Sequence, residues 1–133
     1  MTAESRWTGE TILVVEDTNE IRKMVCAMLV AGGYKCLEAS DGQEALQLVE
    51  DGSHSFELVL TDMVMPNMSG VEFARRLGRI RPEVCIVFMS GYTEEPLVES
   101  VERPAAFLPK PFTAVTLLET VRQSLDRHSQ DAQ

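Results

Sequence analysis

Five short apolar runs, each followed by a segment with helical spacing, constrain this chain more than any other feature. Residues 11–15 (Thr-Ile-Leu-Val-Val) form a continuous apolar run, and Ile21, Met24, Val25, Met28 and Leu29 then recur at helical spacing as far as Gly32-Gly33. A mixed run over 34–39 precedes Asp41, a residue type that caps helices, and a helix through Ala45, Leu46 and Val49 that ends near Gly52. Residues 56–61 precede a helix through Phe73, Ala74, Leu77 and Ile80, and residues 84–89 precede a short helix from Thr93. A fifth strand near 105–108 leads into a last helix with apolar residues at Val115, Leu118, Val121 and Leu125. Strict alternation of strand and helix predicts an α/β fold: a parallel sheet covered on both faces through right-handed crossovers. The runs at 11–15, 56–61 and 84–89 are the most apolar and belong in the doubly covered middle. The mixed run at 34–39 and the run ending at Pro109 suit the edges. The five-stranded order 2-1-3-4-5 meets these conditions. In that flavodoxin-like (βα)5 arrangement, ligands bind beyond the carboxyl ends of strands 1 and 3, where the order reverses.

A chain of 133 residues has room for one domain with a core and little more. Residues 10–127 are expected to form it, with polar tails at 1–9 and 128–133 in which Trp7 is the large apolar group. Twelve Lys and Arg against twenty-one Asp and Glu give a formal charge of −9, which repels nucleic acid and anionic membrane surfaces. The first thirty residues lack a secretory signal pattern and no apolar run approaches a bilayer-spanning length, so a cytoplasmic chain is expected. Cys26, Cys36 and Cys85 are odd in number and lack metal-ligand spacing, which favours thiols over disulfides or zinc. His54 and His128 stand singly in polar surroundings and read as surface residues.

The proposed topology gathers chemistry at one end of the sheet. Strand 1 ends in Glu16-Asp17 and strand 3 in Asp62, so three carboxylates would share the crevice. Like charges in one site raise each other's pKa and destabilise the fold unless a cation or a proton relieves them. A hard divalent ion is a natural partner, because Mg²⁺ takes oxygen ligands and uses one or two carboxylates together with phosphate oxygens. The bland alternative is three solvated strand-end acids. Strand 4, however, ends in Ser90-Gly91, which supplies a hydroxyl, and strand 5 ends in Lys110-Pro111-Phe112, which supplies an ammonium. A Lys-Pro bond can be cis at modest cost and would aim that lysine at the crevice. A metal, a hydroxyl and a cation around a carboxylate are the parts that phosphoryl transfer needs, since its catalysis is mostly positioning and charge neutralisation.

The segment Asp62-Met-Val-Met-Pro-Asn-Met-Ser-Gly70, with Glu16-Asp17, Ser90-Gly91 and Lys110-Pro111-Phe112 in the same order and spacing, resembles the receiver domain of two-component response regulators. The resemblance covers residues 10–127. It implies a phosphoprotein of a phosphorelay, not an enzyme, in which Asp62 takes the phosphoryl group from a phosphohistidine on a sensor histidine kinase or histidine phosphotransfer protein. It also implies Mg²⁺ (or Mn²⁺) held directly by Asp17, Asp62 and the backbone carbonyl of Val64, with Glu16 acting through water. Lys110 would pair with the phosphoryl oxygens. Ser90 would turn to the modified group, and Phe107 would follow it inward. The face made by the fourth helix, fifth strand and fifth helix would then signal to a downstream protein, without nucleic acid or membrane contact by this chain. Met65, Pro66 and Met68 read as a packed turn that supports Asp62.

Several positions depart from the commonest family pattern. Glu16 stands for an aspartate, Ser90 for a threonine and Phe107 for a tyrosine, which removes a hydroxyl from the switch aromatic. Pro96 and Pro104 bound a short fourth helix. The bulk of Val64 and Tyr92, two residues beyond Asp62 and Ser90, implies slow hydrolysis of an acyl phosphate. An aspartate-based phosphatase would need an acid where Val64 stands, and a flavodoxin-like cofactor binder would need a phosphate loop where Glu16-Asp17 stand. A receiver that only binds partners is the remaining alternative. The segment from Phe88 to Glu95 also resembles the C-terminal receiver of hybrid sensor histidine kinases, so a single-domain regulator and a domain of such a kinase are both open.

Overall fold

Alternating side chains along each strand build two separate cores, one on either face of the sheet. A computed structural model describes residues 9–91 and 105–131. The strands are β1 (Thr11–Val15), β2 (Lys35–Ala39), β3 (Leu58–Asp62), β4 (Cys85–Ser90) and β5 (Ala106–Pro109). The helices are α1 (Asn19–Ala31), α2 (Gly42–Asp51), α3 (Gly70–Ile80) and α4 (Ala114–Asp131). The strands are parallel in the order β2-β1-β3-β4-β5, as the apolar content of the runs predicts. Ile12 and Val14 face one way with Leu58, Leu60, Val87 and Met89, against Val25 and Leu29 of α1 and Leu117 and Val121 of α4. Leu13 and Val15 face the other way with Val59, Ile86 and Phe88, against Ala45 and Val49 of α2 and Phe73 and Leu77 of α3. The predicted fourth helix from Thr93, with Pro96, Pro104 and Tyr92, lies outside the described residues, as does Trp7.

The helix ends follow local chemistry. Asp41 caps α2 as expected, its side chain accepting from the Glu44 N–H at 2.8 Å, and Gly52 closes that helix in the left-handed region at φ 75°. Ser69 caps α3 in the same manner, accepting from the Glu72 N–H at 3.1 Å.

Two expectations need correction. Val115, expected in the buried stripe of the last helix, is 64% exposed, and Leu117 takes the core position instead. Helix α4 begins only at Ala114, and its sheet-facing row is the four-residue repeat Leu117, Val121, Leu125, with Leu118 flanking it against Gly32. Met24 and Ile80 are also largely exposed, because the rows that meet the sheet run through Val25 and Leu29 in α1 and through Phe73, Ala74 and Leu77 in α3. Helix α4 itself runs to Asp131, and no Gly or Pro interrupts it.

Candidate functional site

Where the strand order turns, between β1 and β3, the sheet presents Glu16, Asp17 and Asp62 together. Glu16 extends the β1–β2 ladder by one bond, donating its N–H to the Ala39 carbonyl at 3.1 Å, and β3 ends on Asp62 itself. One carboxylate oxygen from each of the three lies within 4.8 Å of the others. Glu16 and Asp62 are buried, at 1% and 3% exposure, whereas Asp17 is open to solvent. Two anionic groups out of water require a nearby cation.

Lys110 is that cation. Strand β5 pairs with β4 so that Ser90 and Pro109 are partners, and the Lys110 N–H donates to the Ser90 carbonyl at 2.8 Å. The following Lys110–Pro111 peptide bond is cis. The Lys110 Nζ lies 2.5 Å from Asp62 Oδ1 and 3.8 Å from Glu16 Oε2. The longer separation is an electrostatic contact and too far for a hydrogen bond. Glu16 Oε2 is accordingly buried with no hydrogen-bond partner among the described residues. An orphaned carboxylate oxygen within a cluster of three acids fits a hard divalent cation or one of its bound waters, and the all-oxygen donor set suits Mg²⁺.

The remaining predicted site residues fall around this cluster. Ser90 ends β4 and is half-buried. Phe107 lies on β5 opposite Phe88, with ring centroids 5.6 Å apart and planes 22° from parallel, and packs against the α2/α3 core. Val64 is 55% exposed in the β3–α3 loop. In that loop Met65 is buried and Met68 packs against the core, whereas Pro66 is exposed, so the two methionines supply the packing expected of the turn. The three cysteines are thiols. His54 lies 3.7 Å from Asp51 near the surface, beyond the end of β3 opposite to the cluster.

Several positioning residues escape a reading of the sequence alone. Arg22 donates to the Glu16 carbonyl at 2.8 Å, to Asn19 Oδ1 at 2.6 Å and to Glu38 Oε1 at 3.0 Å, tying the acidic loop to α1 and β2. A cation in the first turn of a helix opposes the helix dipole, and that anomaly was a usable signal. Asn67, at φ 72°, donates to Asp41 Oδ2 at 2.9 Å and so fastens the β3–α3 loop to the start of α2. Thr61 Oγ1 donates to the Asp62 carbonyl at 2.9 Å. The bonds from Arg22 to Glu38 and from Asn67 to Asp41 join residues distant in sequence, which spacing does not reveal.

Two grooves flank the sheet ends. One of about 390 Å³ adjoins the cluster and is lined by Ile21, Met24, Lys110, Pro111 and Phe112. The other, of about 600 Å³, lies at the opposite end of the strands among Glu10, His54, Glu57, Arg81 and Leu125.

Residues 12–122 match the family described as the response regulator receiver domain. This chain belongs to that family. Receiver domains are signalling domains of two-component systems, phosphorylated on an aspartate, and they bind Mg²⁺ at an acidic pocket. The chain is similar to the sensor kinase CckA of Brucella abortus (strain 2308), at 35% identity over 88% of this chain and 13% of CckA. It is 34% identical to the response regulator receiver protein CpdR of the same organism, over 86% of this chain and 95% of CpdR. Among solved structures it resembles a response regulator receiver domain protein from Clostridium thermocellum, with a TM-score of 0.83 and 27% identity over 91% of this chain and 98% of that one. The receiver fold and its flavodoxin-like strand order are therefore as expected. No helix among the described residues is long and apolar enough to cross a membrane.

Proposed function

We propose that this chain is cytoplasmic and that Asp62 accepts a phosphoryl group from a phosphohistidine of a sensor histidine kinase or histidine phosphotransfer protein. The observation that carries this reading is the contact of Lys110 Nζ with Asp62 Oδ1 at 2.5 Å inside the acidic cluster. An Asp62 carboxylate oxygen attacks phosphorus, the bond from phosphorus to the imidazole nitrogen breaks, and the imidazole leaves with the electron pair. Asp17, Asp62 and the Val64 carbonyl would hold Mg²⁺ (or Mn²⁺), with Glu16 acting through water, and the ion would neutralise charge on the phosphoryl oxygens. Lys110 holds the carboxylate in place beforehand and then pairs with a phosphoryl oxygen. Burial of Glu16 and Asp62 keeps bulk water from that exchange.

The donor must approach beside Lys110, and the apolar groove of Ile21, Met24, Pro111 and Phe112 adjoins that side. We assign it as the seat of the histidine-bearing helix, because a groove continuous with the acceptor's own lysine places a bound partner within reach of Asp62.

Once modified, Asp62 draws the Ser90 hydroxyl inward and Phe107 follows, altering the face that the family resemblance assigns to the expected helix from Thr93, β5 and α4 toward a downstream protein. Moving a two-state equilibrium from 1:99 to 99:1 takes about 5.5 kcal/mol. Charge-assisted hydrogen bonds contribute roughly 1.5–3 kcal/mol each, and an aspartyl phosphate carrying about two negative charges can make one with Ser90 and one with Lys110. Together they reach that figure at the upper end of their range. Either alone does not.

The test is labelling with a small phosphoryl donor such as phosphoramidate in the presence of Mg²⁺, read by intact mass. The wild-type chain is expected to gain one phosphoryl group and Asp62→Asn none. Equal labelling of the two sinks the acceptor assignment. Beryllofluoride with Mg²⁺ should shift the amide spectrum of the wild type and leave that of Asp62→Asn unchanged.

A further inference from the structure

Two cysteine thiols meet on the seam between α1 and the edge strand β2. Cys26 is buried on the sheet-facing side of α1, and Cys36, the second residue of β2, is half-buried. The Cys36 Sγ lies 3.9 Å from the Cys26 carbonyl oxygen, so the two cysteines meet across the seam. Beside them, Arg22 and Lys23 of α1 both reach Glu38, which points to the same face of β2 as Cys36.

This differs from the ordinary buried cysteine, which behaves as a small inert hydrophobe. Here the Cys36 sulfur lies against the backbone of a second cysteine, and Arg22 and Lys23 reach Glu38 two residues along the same strand. The Cys36 side chain favours the thiolate at Cys26 and holds its pKa below the usual thiol value, with burial and Glu38 opposing and Lys23 and Arg22 assisting. The same pairing keeps the proton on Cys36, whose thiol is pushed far up. One sulfur is thus poised as nucleophile and the other as its resolving partner. Neither belongs to the acceptor cluster.

We propose that Cys26 and Cys36 form a modification site, a dithiol that a peroxide converts into an intrachain disulfide joining α1 to β2. The Cys26 thiolate attacks one peroxide oxygen, an S–O bond forms, the O–O bond breaks, and the second oxygen leaves as water after protonation. The Cys36 sulfur then attacks the Cys26 sulfenic sulfur, the S–O bond breaks and the S–S bond forms. Hydroxide departs and takes up the Cys36 proton. In balance, two thiols lose two electrons and two protons, and hydrogen peroxide becomes two waters. The link closes the segment around the Gly32-Gly33 turn and staples the edge strand to the helix that carries Arg22, Ile21 and Met24. Cys85 cannot substitute, because it lies on β4, with β1 and β3 between it and β2, and its Sγ faces the Ser124 carbonyl at 3.5 Å.

The experiment treats the full chain with hydrogen peroxide, quenches by alkylation under denaturing conditions, and maps unreduced tryptic peptides. Cleavage after Lys35 separates the two cysteines, so the disulfide appears as peptide 24–35 joined to peptide 36–75. Two of three alkylation sites should be lost, with that linked pair recovered and both sites restored by dithiothreitol. In Cys36→Ser, the Cys26 sulfenic acid should persist and be captured by dimedone. Three alkylatable cysteines after peroxide, a linkage through Cys85 or between chains, or failure of dimedone to label Cys26 in Cys36→Ser would each overturn the proposal.

Discussion

Gly70 packs so closely against Asp62 that a β-carbon on it would overlap the Asp62 carbonyl oxygen. The same glycine donates its N–H to the Met63 carbonyl at 2.9 Å, so the start of α3 and the end of β3 are held backbone to backbone. At an exposed helical position, Gly→Ala typically stabilises by roughly 0.5–1 kcal/mol. Here the obstructing atom is backbone and cannot rotate away. Gly70→Ala should therefore destabilise by about 1–3 kcal/mol in urea melts and slow phosphorylation through displacement of Asp62. A melt unchanged from wild type would show that the contact is soft.

Lys110 and Ser90 should separate acceptance from response. Lys110→Ala removes a charge-assisted bond of about 1.5–3 kcal/mol, which corresponds to a labelling rate lower by about 10- to 150-fold. Ser90→Ala should retain labelling within a few fold, while the Phe107 ring signals no longer shift on phosphorylation. Ring shifts of wild-type size in Ser90→Ala would remove the hydroxyl from the switch.

Arg22 anchors the backbone of Glu16 without touching the carboxylates of the cluster. Loss of such an outer support typically weakens a metal site by about 10- to 100-fold. Calorimetric Mg²⁺ titration of Arg22→Ala should show a loss at the lower end of that range, because Asp17 and Asp62 remain. Unchanged affinity would mean that the loop is held without it.

Asp41 links pH to stability. Its carboxylate accepts from the Glu44 N–H and from Asn67, and both bonds hold its pKa below the ordinary aspartate value. A depressed folded-state pKa stabilises above the unfolded pKa of about 3.9, and the contribution disappears as pH falls through the folded value. Asp41→Ala should cost about 0.5–2 kcal/mol at pH 7 and less at an acid pH below the folded value. Glu38 follows the same sign through Lys23 first and then Arg22. Equal destabilisation by Asp41→Ala at both pH values would contradict the linkage.

The strand order and the location of the site were readable because they follow from features local to the chain. Runs of Val, Ile and Leu at 11–15, 56–61 and 84–89 can only be buried on both faces, and the residue after such a run must lie at a strand's carboxyl end. That logic alone brings Glu16, Asp17, Asp62, Ser90 and Lys110 to one edge of the sheet. The assignment of helix faces was less secure, since Val115 and Leu117 are both apolar and only the docking angle of α4 chooses between them. Bonds such as Arg22 to Glu16 and Asn67 to Asp41 depend on the exact approach of separate elements, and residue type carries little of that information.

The groove at the far end of the strands brings Glu10 beside Leu125, and Arg122 of α4 binds Glu10 at 3.0 Å. The chain thus enters β1 and runs out along α4 from the same side, opposite Asp62. This gives the domain the geometry of a plug-in cartridge, in which additional polypeptide could be attached at either end without obstructing the port used by an incoming partner. The two relatives differ in this respect, since the similarity spans 95% of CpdR and 13% of CckA.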